Sequence, residues 1–259
     1  MVTITNEDNM QLMARYPEKF FNCALIDPPY GINAPNMAMG TNKSRSGNGQ
    51  YPGESTADRL RKGRLNAGAG KLKNRALNTM NCEWDFDPPK AEYWKEIFRV
   101  TDKVICFGGN YFPLPPTRGI SIWDKKQPWE NFSQFELIWS NFDKPAHIFT
   151  VSNTGGANIE KKIHPTQKPV TLLKSILAWY GIKSGWKIID TGTGSGSSAI
   201  ACLDMGLDLI GCEKNKEYFD ASMAWIREYQ AQQELFAASE MIAKRDETLF
   251  DFEEDAENV

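Results

Sequence analysis

Histidine is almost missing from this chain. Only His147 and His164 occur in 259 residues, which argues against histidine-rich chemistry. The five cysteines, Cys23, Cys82, Cys106, Cys202 and Cys212, show no paired metal-ligand spacing and mostly fall in apolar segments, so buried reduced thiols are expected and no metal site. No apolar run approaches the length of a membrane span, and Met1 to Asp8 lacks the basic start and apolar stretch of a signal peptide. The expected location is the cytoplasm. A basic surplus is also lacking, since the net charge is −3, which at first sight argues against a nucleic-acid partner.

The distribution of charge reverses that impression. Between residues 31 and 80 lie Lys43, Arg45, Arg59, Arg61, Lys62, Arg64, Lys71, Lys73 and Arg75 against only Glu54 and Asp58. Their charge marks residues 33–81, rich in Gly, Asn and Ser, as a basic insertion suited to binding phosphates. Residues 241–259, with Asp251, Glu253, Glu254, Asp255 and Glu257, form an acidic end expected to be flexible. Hydrophobic residues make up 41% and charged residues 24%, ordinary values that fit a single globular domain over residues 1–240.

Two occurrences of Asp-Pro-Pro invite different readings. Asp27-Pro28-Pro29-Tyr30 follows the apolar strand-like run Phe20 to Ile26. It joins a carboxylate acceptor, a restricted backbone and an aromatic face, which suits a planar ring bearing an amine. Asp87-Pro88-Pro89-Lys90 instead precedes the helix-like spacing of Ala91 to Phe98, so Asp87 is expected to be an N-cap with prolines in the first turn.

Further along, short strands are expected at Lys103–Phe107, Ile120–Trp123, Phe135–Trp139 and Ala146–Phe149, the last two as a hairpin. A helical pattern from Gln167 to Tyr180 leads into strand, helix, strand, helix segments at 187–190, 197–205, 207–213 and 218–236. Such alternation implies an α/β fold with a mostly parallel sheet covered on both faces. Within it, Asp190-Thr191-Gly192-Thr193-Gly194-Ser195-Gly196 is a glycine-rich turn between strand and helix, and Glu213 at the next strand end suits paired ribose hydroxyls. Both NAD and S-adenosylmethionine sites require such a pair.

Together with His164-Pro165-Thr166-Gln167-Lys168-Pro169, these motifs resemble those of the circularly permuted beta group of amino-group DNA methyltransferases. The resemblance spans roughly residues 1 to 230 and implies a Rossmann-like, seven-stranded class I fold with an antiparallel hairpin. It implies S-adenosylmethionine as cofactor, held by His164, Thr166, Lys168, Asp190, Gly192, Gly194, Ser195, Gly196 and Glu213, with Asp8 near its adenine and Phe107 as a pocket wall. Asp8 could equally cap the helix after it, and Phe107 could be a core residue. Asp27, Pro28, Pro29 and Tyr30 take the catalytic positions: Asp27 and the Pro28 carbonyl accept the amine's hydrogens, and Tyr30 stacks on a base flipped out of double-stranded DNA.

Aspartate at the first motif position leans towards adenine N6, with cytosine N4 the alternative in the same family. Two further readings stand beside it: a nucleotide-binding dehydrogenase and a DNA-binding module without catalysis. The chain departs from the family pattern in having Thr191-Gly192 where Pro-Phe is usual, and in leaving only about 151–163 where a recognition domain normally falls, so the resemblance implies that the basic insertion at 33–81 is the DNA-recognition loop, ordering around a duplex on binding. A homodimer and an accompanying restriction nuclease are partners that the resemblance leaves open.

Overall fold

In the computed structural model the described residues are 1–32, 85, 87–127, 133–152, 163–164 and 166–235. The nine basic candidates from Lys43 to Arg75, Pro165 and the acidic end at 241–259 lie outside them. Alternation builds the centre of the fold. In β2 (Phe21–Ile26) and β3 (Thr101–Phe107), Cys23, Leu25, Ile105 and Phe107 face one layer of the core, while Ala24, Ile26, Val104 and Cys106 face the other. Strands buried on both faces need covers on both. One is α1 (Asn9–Ala14) with α2 (Ala91–Val100), which bring Leu12, Met13, Tyr93, Trp94 and Ile97. The other is α3 (Val170–Trp179), α4 (Ser197–Asp204) and α5 over 216–235, which bring Leu172, Ile176, Ile200 and Ile226.

The remaining strands are β1 (Val2–Thr5), β4 (Gly119–Asp124), β5 (Phe135–Ser140), β6 (His147–Thr150), β7 (Lys187–Asp190) and β8 (Asp208–Cys212). They make one sheet in the order β1-β8-β7-β2-β3-β5-β4-β6. Pairing is parallel from β1 through β3, and β5 runs antiparallel to both β3 and β4. The mostly parallel α/β sheet with an antiparallel pair is therefore present, with eight strands where seven were expected. Among the described residues no helix is long and apolar enough to cross a membrane.

Two local expectations are corrected. First, β5 and β6 do not form a hairpin; β6 pairs in parallel with β4, on the far side from β5. Asn141 pins the chain to β3, its amide donating to the Val104 carbonyl and its side-chain oxygen accepting from the Val104 amide. The chain then passes over the first residue of β4. A Cβ on Gly119 would lie 2.6 Å from the Phe142 carbonyl, so glycine makes room for the crossing. Second, α2 begins after Lys90, whose side chain makes no capping bond, and Asp87 is exposed outside the helix. With both prolines ahead of the first helical residue, Asp87 is too far away to reach the amides it was expected to cap.

Candidate functional site

The chain leaves β7 through α4 towards β8, and leaves the neighbouring β2 towards β3 on its opposite side. These opposed exits open a crevice at the carboxyl ends of β7 and β2, where ligands of open parallel sheets bind. The glycine-rich turn follows β7 and Asp27 follows β2, so the two sequence motifs meet at that crevice.

On the β7 side the turn is tightly built. Asp190 accepts from the Ser198 hydroxyl at 2.5 Å and the Gly192 amide at 3.1 Å. Burial nevertheless pushes its carboxyl up to about 6. Gly194 and Gly196 have φ of +51° and +84°, a region glycine enters without strain, and Gly196 caps α4. A Cβ at Gly192 would meet no atom within 4 Å, so the backbone there is open to a close ligand. Ser195 is buried and bonded to the Ser197 hydroxyl at 2.9 Å. Glu213, at the end of β8, accepts from the Gly194 amide at 2.9 Å and the Asn215 amide at 2.8 Å, one on each oxygen. Each oxygen retains a lone pair for a hydroxyl. Burial raises the Glu213 carboxyl despite these amides.

His164 and Thr166 form a turn beside Gly194: the His164 ring lies 3.5 Å from where a Gly194 Cβ would stand, and its Nδ1 is 3.2 Å from the Thr166 hydroxyl. Tyr218 of α5 packs edge-on against the imidazole with centroids 4.4 Å apart. Asp8 is an N-cap, accepting from the Met10 amide at 2.9 Å, and also pairs with Lys214 at 3.2 Å, next to Glu213. The expectation that Asp8 caps the helix after it is met.

On the β2 side the side chains form a partly buried polar cluster around the buried Lys168. Asp27 accepts from the Tyr30 hydroxyl at 2.7 Å on Oδ1 and from Lys168 at 2.5 Å on Oδ2. Lys168 thus faces the Asp27 to Tyr30 motif, lying 3.3 Å from Glu136 and 4.8 Å above the Phe107 ring. Phe107 is 1% exposed, so it floors this cluster as part of the core. Glu136 shares the single proton of the Tyr30 hydroxyl with Asp27, and its second oxygen pairs with Lys125 at 3.2 Å. Burial opposes ionisation of Glu136, yet Lys168 and Lys125 outweigh it and hold the carboxyl at about 2. Asp27, by contrast, is pushed up by burial more than Lys168 pulls it down. The Lys168 ammonium is held above the usual lysine range, its two carboxylates overcoming burial.

Tyr30 itself is stacked on Tyr111, with centroids 4.8 Å apart and planes 13° from parallel. Its ring crosses Gly108 so closely that a Cβ there would collide with it. The ring face read from the sequence as free for a base is therefore covered on one side. Sequence reasoning missed Glu136, Lys125 and Asp85. Asp85 is 2% exposed and accepts from the amides of Tyr30 at 2.6 Å and Gly31 at 3.1 Å, fixing the loop behind the prolines. Among the described residues no group of three or more His, Cys, Asp or Glu could hold a metal ion.

Comparison with known proteins matches part of the chain to one family and its fold to solved structures. Residues 116–224 match the N6/N4 DNA methylase model. That stretch contains Glu136, Lys168 and the whole glycine-rich turn. Among solved structures, the PvuII DNA methyltransferase, cytosine-N4-specific, aligns over 86% of this chain and 85% of its own, with 12% identity and a TM-score of 0.50. At that identity the likeness is one of fold. M1.HpyAVI in complex with SAM aligns over 86% of this chain and 97% of its own, with 16% identity and a TM-score of 0.49.

Proposed function

We propose that this chain is an S-adenosylmethionine-dependent DNA methyltransferase that acts on the exocyclic amine of a base withdrawn from the duplex, and that the base is adenine and the position N6. The observation that carries this reading is the meeting of Asp27 and the Gly192 turn at the crevice between β2 and β7, beside the stretch that matches the DNA methylase model.

The residues on the β7 side fit such a cofactor. The open space at Gly192 admits close contact with the backbone, and Glu213 has an acceptor oxygen to offer each of two ribose hydroxyls. Bound there, S-adenosylmethionine would supply a methyl group already activated by its sulfonium. The protein's work is then orientation. An exocyclic amine is a weak nucleophile because its lone pair is delocalised into the ring. Asp27 accepts one N–H and the Pro28 carbonyl the other, drawing the nitrogen towards a pyramidal geometry with its lone pair free to point across the crevice. Burial raises the proton affinity of Asp27 and so strengthens it as an acceptor. Tyr30 offers stacking that offsets part of the cost, about a few kcal/mol, of unstacking the base.

Aspartate at position 27 supports adenine. Cytosine N4 is the second reading, because the cytosine-N4-specific PvuII enzyme shares the fold and the same two acceptors serve either amine. A dehydrogenase would leave the Asp27, Tyr30 and Lys168 cluster without a task. The test is Asp27→Ala, assayed with duplex DNA and labelled S-adenosylmethionine. Methyl transfer is expected to vanish while cofactor affinity, measured by calorimetry, stays near that of the parent. Retained turnover would overturn the reading, and chromatography of the nucleosides from parent-treated DNA separates N6-methyladenine from N4-methylcytosine.

A further inference from the structure

We propose that Glu136 is a positioning residue of the base pocket, the acceptor that retains the Tyr30 hydroxyl and the Lys168 ammonium when an incoming amine competes with them for Asp27. The inference rests on the function proposed above and concerns a residue outside all three recognised motifs.

The starting point is that Asp27 is already engaged. Tyr30 donates to Oδ1 at 2.7 Å and Lys168 to Oδ2 at 2.5 Å. Each Asp27 oxygen keeps a lone pair, so a target amine that comes to Asp27 competes with these donors for its charge; Lys168 is buried and Tyr30 partly buried. A phenol or ammonium stranded there without an acceptor loses hydration with nothing in return, the charged group most of all. Glu136 avoids that penalty because its Oε1 already touches both, accepting from Tyr30 and lying 3.3 Å from Lys168. The exchange needs only a shift in which acceptor each donor favours.

Glu136 is held for this task from the other side. Its Oε2 pairs with Lys125 at 3.2 Å, and Lys125 lies 5.1 Å above the Trp123 ring. Glu136 and Trp123 are cross-strand partners in the β4 and β5 ladder, so carboxylate and ammonium stand on paired backbone. Asp27 and Glu136 together balance Lys168 and Lys125. Without the Glu136 charge, Lys168 would have Asp27 as its only carboxylate and would leave it less readily.

The test is a double-mutant cycle with Lys168→Met, read as kcat and KM for methyl transfer to duplex DNA. Glu136→Gln, nearly isosteric, is expected to lower kcat about tenfold or more, with KM for DNA and cofactor affinity changed by less than about threefold. In the Lys168→Met background the same substitution should lower kcat by less than about threefold, because the ammonium it served is gone. A parent-like kcat for Glu136→Gln overturns the proposal. So does an equal loss in both backgrounds, which is what a purely structural role would give. If Glu136→Gln does not fold, Lys125→Gln takes its place in the cycle, with a loss of kcat confined to the background that retains Lys168 as the supporting result and an unchanged kcat as the opposing one. A parent that transfers no methyl group to duplex DNA overturns the function itself, and the role of Glu136 with it; an active parent with an unaffected variant overturns the role of Glu136 alone.

Discussion

At the residue scale, Asp27 and Asp190 stand at the ends of neighbouring strands, and burial raises both carboxyls above their ordinary range. For Asp190 the rise reaches about 6, which makes a prediction about stability. A carboxyl whose folded value exceeds its unfolded value favours folding only while it stays protonated, so its contribution is lost as pH rises from about 4 through about 6. Asp190→Asn cannot ionise. Relative to the parent, the variant should therefore gain stability across that window, by up to about 3 kcal/mol, and should show no further relative gain above about pH 7. Urea unfolding at pH 4, 6 and 8 measures it, and a pH-independent difference would show that Asp190 titrates alike in both states. Lost hydrogen bonds to Ser198 and Gly192 lower the variant at every pH without altering the trend.

Glu136 shifts the opposite way. Held at about 2, it stabilises the fold above its ordinary range and loses that contribution as pH falls from about 4.5 to about 2. In the sequence it was invisible. Phe135-Glu136-Leu137-Ile138-Trp139 reads as a strand with one polar residue, and nothing local indicates that Lys168, more than thirty residues away, will arrive beside it. Asp27 was legible because the prolines and tyrosine that shape its surroundings are its chain neighbours. Glycine-rich turns are legible for the same reason.

At the scale of elements, the two aspartates expected to cap helices separate cleanly. Asp8 makes its cap and Asp87 does not. Asp8→Ala is expected to lower stability by about 1 kcal/mol, whereas Asp87→Ala should leave the melting temperature and activity unchanged. Paired thermal melts decide this, and an equal loss in both would mean that Asp87 has a role beyond the exposed bend it occupies. Helix and strand existence followed from periodicity, which is local; pairing did not. The expected hairpin of β5 and β6 failed because the short link between them suggested adjacency, while Asn141 on β3 and the bare backbone of Gly119 route the chain across β4. Those interactions join parts of the chain distant in sequence, where periodicity carries no information.

At the scale of the whole molecule, the formal charge of −3 conceals a division of labour. The nine basic residues from Lys43 to Arg75 are proposed to neutralise phosphates. Replacing Arg59, Arg61, Lys62 and Arg64 with alanine is expected to weaken DNA binding and to flatten the dependence of log affinity on log salt by about 0.9 for each phosphate no longer neutralised. S-adenosylmethionine affinity should stay as it was. A salt titration of parent and variant measures both effects, and equal slopes would move DNA recognition to another part of the chain.

Asp85 gives that basic stretch a defined base. One carboxylate oxygen binds the amides of Tyr30 and Gly31, and Pro88 lies against Gly31, 2.6 Å from where its Cβ would be. The chain therefore leaves and re-enters the domain at nearly the same point. The entropy of closing such a loop grows only with the logarithm of its length, about 0.6 kcal/mol for each doubling. Residues 33–84 could thus lengthen, shorten or change composition at little cost to the sheet beneath them. The clasp also ends on the amide of Tyr30, so whatever pulls on the segment pulls on the backbone three residues from Asp27. Under the proposed function, sequence choice and chemistry would be mechanically joined at a single carboxylate.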